Sequence, residues 1–183
     1  MQIVRLLWLK YKSGSNFPSR LKFRDAYLTL YTQQWLFEAD TDLLYTEVKY
    51  ENVLDGITSA ATPRPVERVP RDADFLFEVV YDVEDLQQLR EDLKNLLFSL
   101  SILEDDYLGG NGSRGYGKIK FYFTNITAKK SDFYKGVKTE TKEFGIVSDA
   151  DVLSKNQRPD YETLMSVDDI RDKLQEIVSY FSS

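Results

Sequence analysis

The chain has 183 residues, with 24 Lys and Arg against 30 Asp and Glu and a formal net charge of −6; this length suits one domain with a sizeable core and room for an appended extension. Cysteine and histidine are both absent, which excludes disulfides, thiol chemistry, Ser-His-Asp and Cys-His catalysis and the usual zinc sites. Catalysis would have to rest on carboxylates with Mg²⁺, or on Lys, Tyr or Arg.

No stretch approaches a transmembrane span, and the first residues, MQIVRLLWLKYK, are too short and too charged an apolar run for a signal peptide. The cytoplasm is therefore the expected compartment, with no membrane partner. Charge is laid out in blocks. Residues 1–30 carry six cations against Asp25, and residues 110–142 carry Arg114 and seven lysines against Asp132 and Glu140. Residues 72–108 carry eleven acids against Arg90 and Lys94. Such alternation implies distinct faces, one of them suited to a polyanion.

In chain order, residues 20–30 alternate as a half-buried strand, and 31–44 read as a loop or a short helix. Residues 45–71 show no sustained period and end in Pro63, Pro65 and Pro70 with Arg64, Arg68 and Arg71 interleaved. They read as a long excursion from the core. Asp74–Val83 is the next strand, followed by a helix over about Glu84–Leu103 whose leucines recur at helical spacing. Glu104, Asp105 and Asp106 stand at its C-terminal end, where the helix dipole disfavours acids. A basic neighbour such as Arg114, a solvated turn or a bound metal could each account for them.

Residues 108–121 read LGGNGSRGYGKIKF, with five glycines in nine residues around Arg114. Consecutive N–H groups in such a loop can form a concave nest for an anion, and Arg114 adds a planar fork for phosphate. The segment Gly110–Gly115 matches G-x-G-x-x-G, but a helix precedes it and an extended segment, 117–126, follows, the reverse of the dinucleotide-binding order. A Walker A loop fails as well, because Tyr116 follows Gly115. Residues 128–160 read as loop or edge hairpin. A last helix starts near Val167, with Ser166 and Asp169 as a capping box and Val167, Ile170, Leu174, Ile177 and Phe181 as its apolar stripe.

Three blocks, RLKFRDAYLT at 20–29, YTEVKYENVLDGITSAATPRPVERVP at 45–70 and LEDDYLGGNGSRGYGKIKF at 103–121, resemble the RAMP superfamily of CRISPR–Cas proteins. The chain is most similar to the repeated backbone subunit of Csm-type, type III-A, RNA-targeting effectors. The resemblance implies an α+β protein with an RRM-like, ferredoxin-like core over 1–128 and a C-terminal helical extension over 129–183. It also implies a thumb at about 45–71 inserted along a guide–target duplex. The implied partners are guide RNA, target RNA and other RAMP subunits.

The implied RNA-binding residues are Gly110, Gly112, Ser113, Arg114, Gly115, Tyr116 and Lys118 on the loop, with Lys49, Arg64 and Arg68 on the excursion. Tyr45, Tyr50 and Tyr116 either stack on bases or fill the core. Family members carry a longer N-terminal part that supplies the first strand, the first helix and an aspartate-bearing cleavage loop. No counterpart of that loop is visible here. No catalytic or metal-binding residue is therefore carried over, no cofactor is expected, and Mg²⁺ would enter only with cleavage in a complex. Residues 2–11 are the expected substitute for the first strand.

Overall fold

A computed structural model of the chain describes residues 9–10, 16–17, 19–39, 43–137, 141–145 and 157–182. In chain order the strands and helices begin with β1 (Leu9–Lys10), β2 (Asn16–Phe17), β3 (Leu21–Phe23), β4 (Tyr27–Leu28), α1 (Leu30–Glu38), β5 (Glu47–Leu54) and β6 (Ala61–Arg68). They continue with β7 (Phe75–Leu76), β8 (Val79–Tyr81), α2 (Leu86–Asp105), β9 (Thr127–Ala128), α3 (Ser131–Tyr134), β10 (Lys142–Glu143) and α4 (Val167–Ser182). The chain divides into two compact units, one of Met1–Arg24, Val79–Val152 and Pro159–Ser183, the other of Asp25–Glu78 and Leu153–Arg158. This division differs from a boundary at 128/129, because α4 packs on α2 within the first unit. Of the expected substitute strand at 2–11, only Leu9 and Lys10 fall among the described residues, where they pair antiparallel with Phe17 and Asn16.

The first unit is built on two amphipathic helices. The leucine stripe of α2 buries Leu89, Leu97 and Leu100, and α4 buries Val167, Ile170, Leu174 and Ile177. Leu97, Leu100, Met165, Val167, Ile170 and Leu174 form one core cluster, with Phe121, Phe123 and Ile126 packed against it. Helix α2 starts two residues later than its leucine pattern suggests, because the Asp85 side chain accepts the N–H of Gln87 at 2.9 Å and caps the helix there. The capping box of α4 is present: the Ser166 hydroxyl accepts from the Asp169 N–H at 3.3 Å, and Asp169 Oδ2 accepts from the Ser166 N–H at 2.7 Å. The Ser166 hydroxyl, which also donates to Asp169 Oδ2 at 2.7 Å, and then the Ser166 N–H hold the Asp169 carboxyl below its ordinary pKa.

Strand β3 pairs antiparallel with β8, Leu21 opposite Tyr81 and Phe23 opposite Val79. Beside this ladder lies a buried ion pair, Arg20 Nη1 to Asp92 Oδ2 at 2.7 Å, with both side chains at most one-tenth exposed. The Tyr81 hydroxyl donates to the same Asp92 oxygen at 2.8 Å, and Arg20 also donates to Gln88 at 3.0 Å. Burial and then the Asp92 carboxylate push the Tyr81 hydroxyl above the ordinary phenol range.

Two sequence expectations change here. The strands expected over 20–30 and 74–83 each break in two. Residues 24–26 separate β3 from β4 while only residues 77–78 separate β7 from β8, so one register cannot run through both pairs. The stretch 117–126 keeps its in–out alternation, with Lys118, Lys120 and Tyr122 exposed and Ile119, Phe121 and Phe123 half-buried. It joins no ladder among the described residues beyond a bridge from Phe123 to Met165. Its donors turn elsewhere, as the Phe121 N–H goes to Glu104 Oε1 at 2.7 Å. The region expected as loop or edge hairpin does contain a short antiparallel pair, β9 with β10.

In the second unit, the segment expected as a loop or short helix is α1. Thr29 caps it by accepting the Thr32 N–H at 3.1 Å, and Thr32 Oγ1 accepts from the Asp74 N–H at 3.0 Å. Thr32 and Leu36 are fully buried. The excursion is an ordered hairpin of eight residues per strand, from Glu47 opposite Arg68 to Leu54 opposite Ala61. Its turn is set by Asp55, whose carboxylate accepts the N–H groups of Ile57 and Thr58 at 2.9 and 2.8 Å. Asp55 N–H bonds Ala60 C=O at 3.0 Å, which makes 53/62, 51/64, 49/66 and 47/68 the hydrogen-bonded pairs. Pro63 and Pro65 then fall at non-hydrogen-bonded positions, where their missing N–H faces away from β5.

Candidate nucleic-acid interface

The side-chain alternation of the hairpin sorts its residues onto two faces. Glu47, Lys49, Glu51 and Val53 share one face with Arg68, Val66, Arg64 and Thr62; Val48, Tyr50, Asn52 and Leu54 share the other with Glu67, Pro65, Pro63 and Ala61. All three cations named from the sequence therefore stand on a single face. Arg68 Nε meets Glu47 at 2.5 Å, and Lys49 lies 3.9 Å from Glu51. Arg64 is exposed and makes no ion pair among the described residues. The opposite face sets Tyr50, Leu54, Pro63, Pro65 and Ala61 beside Asn52 and Glu67, all of them exposed. Tyr50 is 71% exposed opposite Pro65, and Leu54 is 67% exposed near the tip residue Ile57. Tyr50 is therefore no core residue.

The glycine loop belongs to the other unit. It closes where the Leu108 N–H bonds the Gly117 C=O at 2.9 Å, with one 3₁₀ turn, Gly112–Arg114, inside it. The glycines divide by what each does. Gly109, Gly115 and Gly117 have left-handed φ of 88°, 79° and 77°, where a β-carbon is disfavoured. A β-carbon on Gly112 would strike the Tyr107 ring, and one on Gly117 would strike the Leu108 carbonyl oxygen. Gly110 has neither constraint: its φ is not left-handed and nothing lies within 4 Å of the β-carbon position.

The N–H groups of Arg114 and Gly115 bond the Asn111 and Gly112 carbonyls at 2.9 Å. Those of Gly110, Asn111, Gly112 and Ser113 find no backbone acceptor among the described residues. Ser113 and Arg114 are exposed and Tyr116 is half-buried.

Lys118 sits differently from a free phosphate ligand. Its ammonium donates to the Glu104 carbonyl oxygen at 2.5 Å, satisfying an otherwise unbonded carbonyl at the end of α2. The acids at the end of α2 also find a basic neighbour, since Glu104 holds Lys120 at 2.9 Å, and this bond raises the Lys120 pKa. No group of three or more acidic side chains suited to a metal occurs among the described residues. Sequence reasoning missed the two-faced hairpin, although Asp55-Gly56 between apolar residues was a turn signal for it.

The model of the RAMP superfamily matches residues 2–120, and the chain belongs to that superfamily. Within it, the chain is similar to the CRISPR system Cms endoribonuclease Csm3 of several organisms. It is 40% identical over 133 residues to that of Enterococcus italicus, covering 72% of this chain and 60% of the relative. It is 48% identical over 109 residues to that of Streptococcus thermophilus, covering 56% and 46%. The crystal structure of Methanopyrus kandleri Csm3 superposes with a TM-score of 0.58 and 25% identity, over 90% of this chain and 50% of that one. The chain thus spans about half the length of the relatives it matches, and the α+β fold is that of a RAMP protein.

Proposed function

We propose that this chain is a guide-RNA-binding backbone subunit of a type III CRISPR effector complex. In this reading, base pairing reads the target while the protein holds RNA backbone and shape. The loop 108–117 cradles a guide phosphate on the N–H groups of Gly110–Ser113 beside Arg114. The hairpin offers Arg64 and Lys49 to phosphates on one face and sets Tyr50 against nucleotides on the other. Target RNA and further RAMP subunits are the remaining partners. The related Csm3 proteins bear the name endoribonuclease, yet no residue of this chain is assigned a part in cleavage, and Mg²⁺ is needed only where cleavage occurs.

The observation that carries this reading is Gly110, a glycine that the fold itself does not require, next to N–H groups with no backbone acceptor among the described residues. A side chain there meets only what binds the loop. Gly110→Val should leave the thermal unfolding midpoint unchanged and weaken binding of a labelled guide RNA. Arg114→Ala and Arg64→Ala should each flatten the slope of log affinity against log salt by about 0.7 for one lost single-strand contact. Full affinity and an unaltered slope in all three variants would overturn the proposal.

A further inference from the structure

The sequence places a second basic run, Lys129-Lys130-Ser131-Asp132-Phe133-Tyr134-Lys135, beyond the residues matched by the family model and outside the glycine loop. In the structure it lies on a firm base. Ala128, Phe144 and Ile177 form a buried cluster with Tyr180 and Phe181 packed against it, and Phe144 meets Tyr180 edge-on at 6.2 Å. Ammonium groups gather over these rings. Lys130 and Lys142 stand 4.8 and 5.9 Å from the Tyr180 centroid, and Lys142 is also 4.9 Å from that of Phe144. Lys129 stands 5.2 Å from the centroid of Phe133, which braces Tyr134 in an edge-on contact at 5.4 Å.

Among the described residues, Asp132 faces Lys135 at 3.7 Å and Glu176 faces Lys142 at 3.1 Å, while Glu143 also lies on β10. Lys129 has no acidic partner among the described residues. Tyr134 is 75% exposed, a large ring held outward by its neighbour rather than buried.

We infer that Lys129, Lys130 and Tyr134 form a separate contact site for single-stranded RNA. The ammoniums meet successive phosphates, and an unstacked base lies on the Tyr134 ring. Lys129 carries a charge with no acidic partner among the described residues, and a polyanion supplies one. The exposed ring favours RNA over an acidic peptide, because a base supplies a flat π-face and a carboxylate does not. The site shares no residue with the loop and hairpin of the proposed function, and its test is separable from theirs.

The test uses the full chain and a fluorescein-labelled U20 RNA, with anisotropy read across a salt series. It is run in the parent protein and in a Gly110→Val/Arg64→Ala background. In both, Lys129→Ala with Lys130→Ala should flatten the salt slope by about 0.7 for each lost contact. Tyr134→Ala should lower affinity by about tenfold or more, as loss of one stacked base does. Lys129→Arg with Lys130→Arg should restore the slope while leaving the melting curve of the alanine pair unchanged. Unchanged U20 binding in the Tyr134 variant, or poly-glutamate competing as well as unlabelled U20, overturns the proposal.

Discussion

The buried Arg20–Asp92 pair and the hairpin pair Arg68–Glu47 are the same chemistry in two surroundings. The first has side chains 10% and 7% exposed, carries Tyr81 and Gln88 as further partners, and ties β3 and β8 to α2. The second stands 35% and 33% exposed on a two-stranded ribbon whose far face presents Tyr50 and Leu54 to solvent. A carboxylate withdrawn from water depends on its partners, whereas one at the surface can fall back on water. The first unit is thus held by burial. The hairpin is held by its ladder and its cross-strand pairs, and an isolated two-stranded ribbon is only marginally stable. A segment so built has surface to offer a partner.

Removing one carboxylate from each region measures the difference directly. Asp92→Ala leaves Arg20 buried and uncompensated and should cost about 3–5 kcal/mol in urea unfolding. A loss near that for an exposed pair would show that Arg20 reaches water. Next in size is the glycine contrast. Gly117→Ala must take a left-handed φ against the Leu108 carbonyl and should cost more than about 1 kcal/mol. Gly110→Ala should stay within about 0.5 kcal/mol of the parent, and equal losses at both positions would erase the distinction between them.

The α4 cap comes third. Ser166→Ala should cost about 1 kcal/mol. Because Asp169 is held below the ordinary carboxylate value of 3.8, its contribution is complete above that value and fades as pH falls through its lower folded pKa. The protection factors of amides in the first turn of α4, with the intrinsic pH dependence of exchange divided out, should therefore fall only in acid, and a fall near neutral pH would contradict the assignment. The smallest effect belongs to the hairpin: Glu47→Ala should cost under about 1 kcal/mol and shrink further in high salt.

Much of the first unit was legible because its signals are local. The leucine spacing of α2 and the Ser166–Asp169 box of α4 each sit within one element, and the structure carries both. The break between β3 and β4 was not legible, since it depends on β7 and β8 being separated by one residue fewer. The hairpin was missed for a related reason. Its strand 61–68 carries two prolines and two arginines, which read as irregular until each is set against its cross-strand neighbour. At the candidate interface, the glycine cluster marked the loop at once. Only the geometry distinguishes Gly110 from the four glycines that the fold itself demands, and only the geometry ties Lys118 to the end of α2.

The two prolines of β6 have a consequence for crowding. An exposed ribbon of this length carries an outer row of peptide groups able to recruit another ribbon, and proteins that gather in many copies raise the local concentration of such edges. With Pro63 and Pro65 at the outward positions, two successive donors are missing from that row. A second strand arriving there would leave its own carbonyls without partners. The outer edge of β6 is thus a poor template for a further strand, and both faces of the hairpin stay clear of such pairing.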